Sequence, residues 1–256
     1  MKALYLDCFS GISGDMFLGA MIDAGCITRE KLSDSLAALG VEGMEITAAR
    51  VARSGITGTK VDVIAPDKVE ERHFSDILGI IENSGLSPDI KKRSRAIFRR
   101  LAEAESKVHG VGIEDVHFHE VGAVDTIADV VGAAICLKES GIETVISSPV
   151  NVGSGTVRTA HGILPVPAPA TLEILKGAPI YSSGTGMELV TPTGAAILME
   201  ICKDFGPMPG IKIESAGYGA GSRELDMPNM LRAIVGESFE IKQKSFLGRA
   251  ERHGHH

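Results

Sequence analysis

One nine-residue segment, HFHEVGAVD, concentrates side chains that can bind a metal ion: His117, His119, Glu120 and Asp125. If residues 116–119 are extended, His117 and His119 project from the same face, because side chains alternate along a strand. Two imidazoles side by side suit a borderline cation such as nickel or zinc. Glu120 could then be a ligand, a general base or a partner that orients a ligand. The alternative is that both histidines lie on a polar strand face and Asp125 caps the next helix.

A second segment, DCFSGISGD, follows an apolar strand and begins a helix. Backbone amides at a helix N-terminus bind anions, so the segment is predicted to hold a phosphate, although it matches neither the P-loop nor the dinucleotide-binding pattern. Asp7 and Asp15 could instead hold a cation or a substrate hydroxyl, and Asp15 could be a helix cap. The predicted phosphate contacts are Ser10, Gly11, Ser13, Gly14 and Asp15.

Three further positions are candidates for the same site. His161 lies in a loop stiffened by prolines, where it could be a ligand, an acid–base group or a surface residue. Thr191 and Thr193 precede a helix, where they either cap it or contact a carboxylate or phosphate. Arg223 follows a glycine-rich stretch, GYGAG, which we expect to be a flexible turn, and its guanidinium can bind an anion bidentately.

Composition narrows the function classes. The 256 residues carry a net charge of −7, 4% aromatic residues and no Trp, which argues against nucleic-acid binding. No apolar run is long enough to span a membrane, and no signal peptide is recognised, so a cytoplasmic protein with reduced cysteines is predicted.

Cys8 is a candidate soft nickel ligand if it is deprotonated, or else a small buried residue. His73, His109 and the basic run at residues 91–100 are interpreted as structural or solvated.

The elements that must position these residues alternate between helices and strands without a regular βαβ repeat. Hairpins such as residues 45–65 imply antiparallel pairing, so we predict an α/β or α+β fold with a mixed sheet, buried helices and layers. The pattern favours one region over residues 1–237, with a possible boundary near residue 70. Residues 238–256 are expected to be a disordered tail whose histidines do not belong to the site.

Long blocks of the chain, in order, resemble the LarC family of nickel-insertion proteins. Together they extend to about Glu237, which is far more specific than any short motif. They are YLDCFSGISGDMFLGA, KVHG, VHFHEVGAVDTIADVVGA, SSPVNVGSGTVRTAHGILPVPAPAT, ELVTPTGAA and GYGAGSREL.

The resemblance implies insertion of nickel into pyridinium-3,5-bisthiocarboxylic acid mononucleotide, with one carbon–nickel and two sulfur–nickel bonds, to make the cofactor of lactate racemase and related enzymes. It also implies use of CTP with Mn or Mg in a C-terminal part. This chain ends soon after GYGAG and is expected to be the N-terminal piece or a truncation, inactive without that part.

The leading hypothesis is therefore a nickel insertase with His117, His119, Glu120, Asp125 and Cys8 as metal candidates. Carbon metallation must remove a ring proton, for which Glu120 or His161 is the predicted base. The expected partners are the mononucleotide, the C-terminal part, a lactate racemase apoprotein and a second copy of the chain in a homo-oligomer. The alternatives are a non-catalytic nickel carrier and a generic metal-dependent phosphoesterase.

Overall fold

The structure, a computed structural model, describes residues 1–64, 72–118 and 123–239. None of the described helices is both long and apolar enough to cross a membrane. The helices of this part are α1 (Gly14–Asp23), α2 (Arg29–Ala37), α3 (Phe74–Asn83), α4 (Pro88–His109), α5 (Val124–Ser140), α6 (Pro169–Ile174) and α7 (Pro192–Ile201). The strands are β1 (Lys2–Asp7), β2 (Glu45–Arg53), β3 (Ile56–Ile64), β4 (Arg72–His73), β5 (His117–Phe118), β6 (Thr144–Ser147), β7 (Val150–Asn151), β8 (Thr156–Thr159), β9 (Gly162–Pro165), β10 (Ile180–Tyr181), β11 (Asp204–Phe205), β12 (Ile211–Ala220) and β13 (Met230–Ser238).

The main sheet has the strand order β11-β6-β1-β13-β12-β3-β2. It is mixed, because β1 runs parallel to β6 and antiparallel to β13, which confirms the α/β class with a mixed sheet. The early hairpin β2–β3 joins this sheet through β12. Strands from both sides of residue 70 thus share one sheet, while residues 65–71, where a boundary was predicted, and the tail at 240–256 lie outside the described residues.

The sequence predicts a long helix that begins with Ser87-Pro88 and ends at His109, and α4 has these bounds. Ser87 and Pro88 begin it, and Gly110 ends it in the left-handed conformation at φ 67°. Its buried face includes Ile97 and Phe98, which pack in the same core as α5. Helix α4 also packs against α6 and α7, and its C-terminal end carries Glu105 and His109.

The GYGAG stretch is not a flexible turn, so that prediction was wrong. Its first four residues form the end of β12, where Gly217 and Gly219 face α1, and Gly221 packs against Asn229. A Cβ atom on Gly219 would lie 1.7 Å from the Met16 carbonyl oxygen, and one on Gly217 would lie 2.2 Å from the Ala24 amide nitrogen. The glycines are there because α1 packs directly on the strand backbone, which leaves no space for a side chain.

A side chain at the end of α1 fixes the same contact. The Asp23 carboxylate accepts hydrogen bonds from the Tyr218 amide at 2.8 Å and from the Thr59 hydroxyl at 2.9 Å. It thereby ties α1 to β12 and β3 together. Close packing and this pair of hydrogen bonds hold the N-terminus of α1 at the edge of the functional site.

The sequence predicts a helix over residues 193–205, and the observed helix α7 is shorter. It ends at Ile201, because the following residues pair with β6 instead. The Lys203 amide donates to the Val145 carbonyl at 2.9 Å, and the Gly206 amide donates to the Ser147 carbonyl at 2.8 Å. The propensity of this segment for helix is overridden by tertiary pairing.

We expect Gly219→Ala to lower the free energy of unfolding by at least about 2 kcal/mol, since its methyl group would force α1 off the sheet. The matched control is Gly79→Ala in α3, where a Cβ atom meets nothing within 4 Å. That variant should be stabilised by up to about 1 kcal/mol, because Ala favours helix over Gly. Urea unfolding of both variants measures the difference, and equal stabilities would refute the packing argument.

Candidate functional site

A cavity of about 620 Å³ opens between the end of α4, β5 and the β8–β9 hairpin. Much of its wall is apolar, from residues such as Val157, Leu164 and Ala168. The lining side chains that can carry a charge or bind a metal are Glu105, His109, His117, Arg158, His161, Glu188 and Arg223. These residues are up to 118 positions apart in the sequence and are brought together only by the fold.

His117 reaches this cavity from β5, where it pairs with His73 of β4. The two imidazole rings have their centroids 4.0 Å apart. The sequence interpretation took His73 as structural, because nothing in its local pattern reveals a partner 44 residues away. His119 and Glu120, the other members of the predicted metal cluster, lie outside the described residues.

A second pair of imidazoles belongs to His109 and His161, with ring centroids 4.7 Å apart. Glu105 lies one turn before His109 on α4, and its carboxylate is 3.2 Å from His109 Nε2. A carboxylate in this position orients the imidazole ring, as a general base requires. Glu105 was missed by the sequence analysis, although its i, i+4 spacing from His109 is visible there.

The described histidines and carboxylates of the larger cavity do not form a complete metal-binding site. Among residues 1–64, 72–118 and 123–239, no three His, Cys, Asp or Glu side chains are arranged to hold a metal ion. Any complete ligand set must therefore include further donors or a movement of the histidines.

A smaller cavity of about 290 Å³ adjoins the first and shares Glu188 and Arg223 with it. It lies at the N-terminus of α1, and Ser13, Asp15, Thr191 and Asn229 are in its wall. Four residues predicted to bind the mononucleotide thus meet here: Ser13, Asp15, Thr191 and Arg223. The others do not line it: Ser10 and Thr193 are buried, and Gly11 and Gly14 pack against protein atoms.

The backbone of the predicted phosphate loop is largely engaged within the protein. The Gly11 amide donates to the Cys8 carbonyl, and the Ile12 amide donates to the Leu189 carbonyl, both at 3.0 Å. The Asp15 amide donates to the Asp129 carboxyl group. A Cβ atom on Gly14 would lie 2.3 Å from Asp129 Oδ2. Gly14 is thus explained by a protein contact, and phosphate binding by the loop backbone stays a prediction.

The charges beside this loop are arranged around Lys60. Its ammonium group lies 2.8 Å from both the Asp15 and the Asp62 carboxylates, and it is only 10% exposed. Asp15 also accepts a hydrogen bond from the Ser13 hydroxyl. The single positive charge of Lys60 is shared by the Asp15 and Asp62 carboxylates, so it offsets part of the negative charge of Asp15 beside the smaller cavity.

The Asp129 carboxyl lies beneath the loop, with Oδ1 buried and without a hydrogen-bond partner among the described residues. Burial raises its pKa well above its usual range, and the nearby Asp15 and Asp125 carboxylates add to the effect. A neutral carboxyl is thus favoured at this position, since an unpaired buried charge is costly.

Two of the predicted metal ligands occupy other environments. Cys8 is fully buried, with Sγ 3.5 Å from the Ser147 hydroxyl, and burial raises the pKa of its thiol to about 12. Burial thus disfavours the thiolate form in which a cysteine binds a metal. Asp125 is exposed in the first turn of α5, where it accepts the Thr126 amide at 2.7 Å. Neither residue lines the larger cavity.

The fold and site define an α/β protein with imidazoles and guanidiniums around adjoining cavities, suited to a divalent cation and an anionic ligand. A sequence model of the family described as nickel insertion protein matches residues 4–251. The chain belongs to the nickel insertion protein family.

Relatives of known name support this assignment. A Desulfitobacterium hafniense protein named pyridinium-3,5-bisthiocarboxylic acid mononucleotide nickel insertion protein is 54% identical over 237 residues, covering 93% of this chain and 59% of that protein. A Geobacillus kaustophilus protein of the same name is 49% identical over 252 residues, covering 94% and 61%. The chain spans about three fifths of the length of these relatives. No solved structure matches it significantly.

The raised pKa of Asp129 predicts a pH-dependent effect of Asp129→Asn. A carboxyl with a raised folded-state pKa binds more protons in the folded than in the unfolded chain, so its contribution to stability falls as pH rises above its unfolded pKa of about 3.9. Asn keeps an acceptor for the Asp15 amide and cannot ionise. The variant should therefore be more stable than wild type at about pH 7, with the difference shrinking towards about pH 4. Urea unfolding across pH checks this, and a variant destabilised at neutral pH would contradict it.

Proposed function

We propose that this chain takes part in inserting nickel into pyridinium-3,5-bisthiocarboxylic acid mononucleotide, the substrate in the names of its relatives. The observation that carries the proposal is the meeting of His109, His117 and His161 around one cavity, beside Arg158 and Arg223. Imidazoles suit nickel as cargo, and guanidiniums suit an anionic mononucleotide.

His117, His119 and Glu120 are proposed to receive the nickel ion. His117 faces the larger cavity, and His73 beside it can supply a further imidazole. The proposal for His119 and Glu120 rests on their sequence spacing. Cys8 and Asp125 are left out of the ligand set for the reasons given above.

The bond-forming step requires a proton acceptor. When nickel binds the ring carbon, the carbon–hydrogen bond breaks, and one proton leaves as the carbon–nickel bond forms. His161, or His109 supported by the Glu105 carboxylate, lies in the same cavity and can take that proton. Glu120 remains an alternative base.

The complete reaction is proposed to need the part of the relatives that lies outside their match to this chain. The chain contains no Gly-x-x-x-x-Gly-Lys-Ser/Thr sequence, so we place the use of CTP, with Mn or Mg, in that remaining part. The same proposal includes a cytoplasmic location, self-association into a homo-oligomer and delivery of the cofactor to a lactate racemase apoprotein.

We expect His117→Ala/His119→Ala to lower nickel affinity at least about tenfold, which equals ~1.4 kcal/mol. The measurement is isothermal titration in a background in which the terminal His253, His255 and His256 are replaced by alanine. Glu114→Gln, an exposed carboxylate nearby, is the control and should leave the affinity unchanged. Unchanged affinity in a folded double variant would remove the histidine pair from the site. Stoichiometric nickel binding without cofactor formation in the completed system would favour a nickel carrier.

The chain alone is expected to show no CTP hydrolysis and no nickel insertion with any divalent ion. Adding the remaining part of a relative should restore insertion if the two parts assemble. The assay follows formation of the nickel-bound mononucleotide by mass spectrometry. CTP-dependent insertion by residues 1–239 alone would overturn the placement of the nucleotide site, and the basic face of α4 would become its best candidate.

A further inference from the structure

The two adjoining cavities differ in chemistry, although they share Glu188 and Arg223. The smaller one is rich in hydroxyl and amide groups, from Ser13, Thr191 and Asn229. The larger one has an apolar wall, to which the cross-strand pair Val157 and Leu164 contributes. A ligand with a phosphate at one end and a planar ring at the other matches these two environments, as the proposed function requires.

Two guanidiniums lie in the walls of this joint space. Arg223 lies in both walls, whereas Arg158 lines only the larger cavity. Both side chains are exposed, and among the described residues neither guanidinium has a hydrogen bond or ion pair. Most other arginines of this part are engaged, as Arg232 is with Asp7 and Arg100 is with Glu200. Unpaired guanidiniums in a cavity are available to ligand anions.

The backbone position of Arg158 is fixed by the β8–β9 hairpin. It lies on β8, paired in register with Ile163 of β9, and the Thr159 hydroxyl closes the hairpin by donating to the Gly162 carbonyl at 3.2 Å. The same hairpin carries His161 into the cavity. A group bound by Arg158 is therefore kept close to an imidazole, which is where the acidic substituents of the ring must be when nickel binds.

We propose that Arg158 is the residue that recognises the acidic ring substituents of the mononucleotide, while Arg223 binds its phosphate. Each charged group of the ligand then lies near a wall residue of opposite charge. Arg223 meets the phosphate, Glu188 in the shared wall lies near the positively charged pyridinium, and Arg158 meets the two thioacid groups. Arg158 is a specificity-determining contact, and this assignment rests on the proposed function.

The test uses two ligands that differ only at the ring substituent: nicotinic acid mononucleotide, with a carboxylate, and nicotinamide mononucleotide, with a neutral amide. The carboxylate oxygens stand in for the sulfur and oxygen atoms of the thioacid. Binding of each to the metal-free full chain is measured by isothermal titration. Wild type should prefer the acid at least about fivefold, since a bidentate guanidinium–carboxylate pair is charge-assisted.

Arg158→Gln should reduce this preference to within about twofold, and Arg158→Lys should give an intermediate value because it keeps the charge and loses the planar fork. Arg223→Gln should weaken both ligands at least about fivefold and leave the preference intact. Arg99→Gln, an exposed arginine of α4 outside both cavities, is the matched control and should change neither affinity. Circular dichroism checks that each variant is folded.

The outcomes separate this inference from the proposed function. Wild type that binds both ligands equally, or an Arg158→Gln variant that keeps the full preference, would overturn the role of Arg158 and leave the mononucleotide site standing. Wild type that binds neither ligand at millimolar concentration would refute both the role of Arg158 and the assignment of the mononucleotide to these cavities.

Discussion

The direct packing of α1 on the sheet backbone is the constraint on which the rest of the structure depends. Gly219 and Gly217 on β12 have no side chains between strand and helix, and a Cβ atom on Gly19 of α1 would lie 2.3 Å from the Thr59 carbonyl oxygen of β3. Asp23 then ties the end of the helix to both strands. Because the helix cannot slide on such a surface, its N-terminus, with Ser13 and Asp15, has one position, and the smaller cavity is formed around it.

The bounds of a helix could be predicted from the sequence where residues within the helix or next to its ends determine them. The sequence predicts a long helix that begins with Ser87 and Pro88 and runs to His109, and another over Phe74–Asn83, and both are observed. The GYGAG stretch was misinterpreted because glycine has two causes, a turn or a close approach, and only the packing partner distinguishes them. Residues near Phe205 were misassigned since their pairing with β6 involves residues about 60 positions earlier.

Only part of the candidate site could be predicted, because local spacing is visible in the sequence and contacts between remote residues are not. The HFHE spacing marks His117 directly, but His73 and His109 gain meaning only from partners that are remote in sequence, namely His117 and His161. Burial likewise cannot be seen locally: the sequence left Cys8 as either a soft nickel ligand or a small buried residue, and the structure shows that it is fully buried, which raises the pKa of its thiol to about 12. The ends of separate elements converge on two cavities, and the chemistry is in that convergence rather than in any one motif.

The central claim is that nickel and the mononucleotide meet in the larger cavity. Its most direct test is a crystal structure of the chain, with the terminal histidines replaced by alanine, grown with nickel and nicotinic acid mononucleotide. Anomalous scattering measured at the nickel edge locates the metal. The claim predicts one strong peak within coordination distance of the His117 imidazole, with the ligand ring beside it. A nickel peak found only outside this cavity, with the mononucleotide absent from it, would contradict the claim.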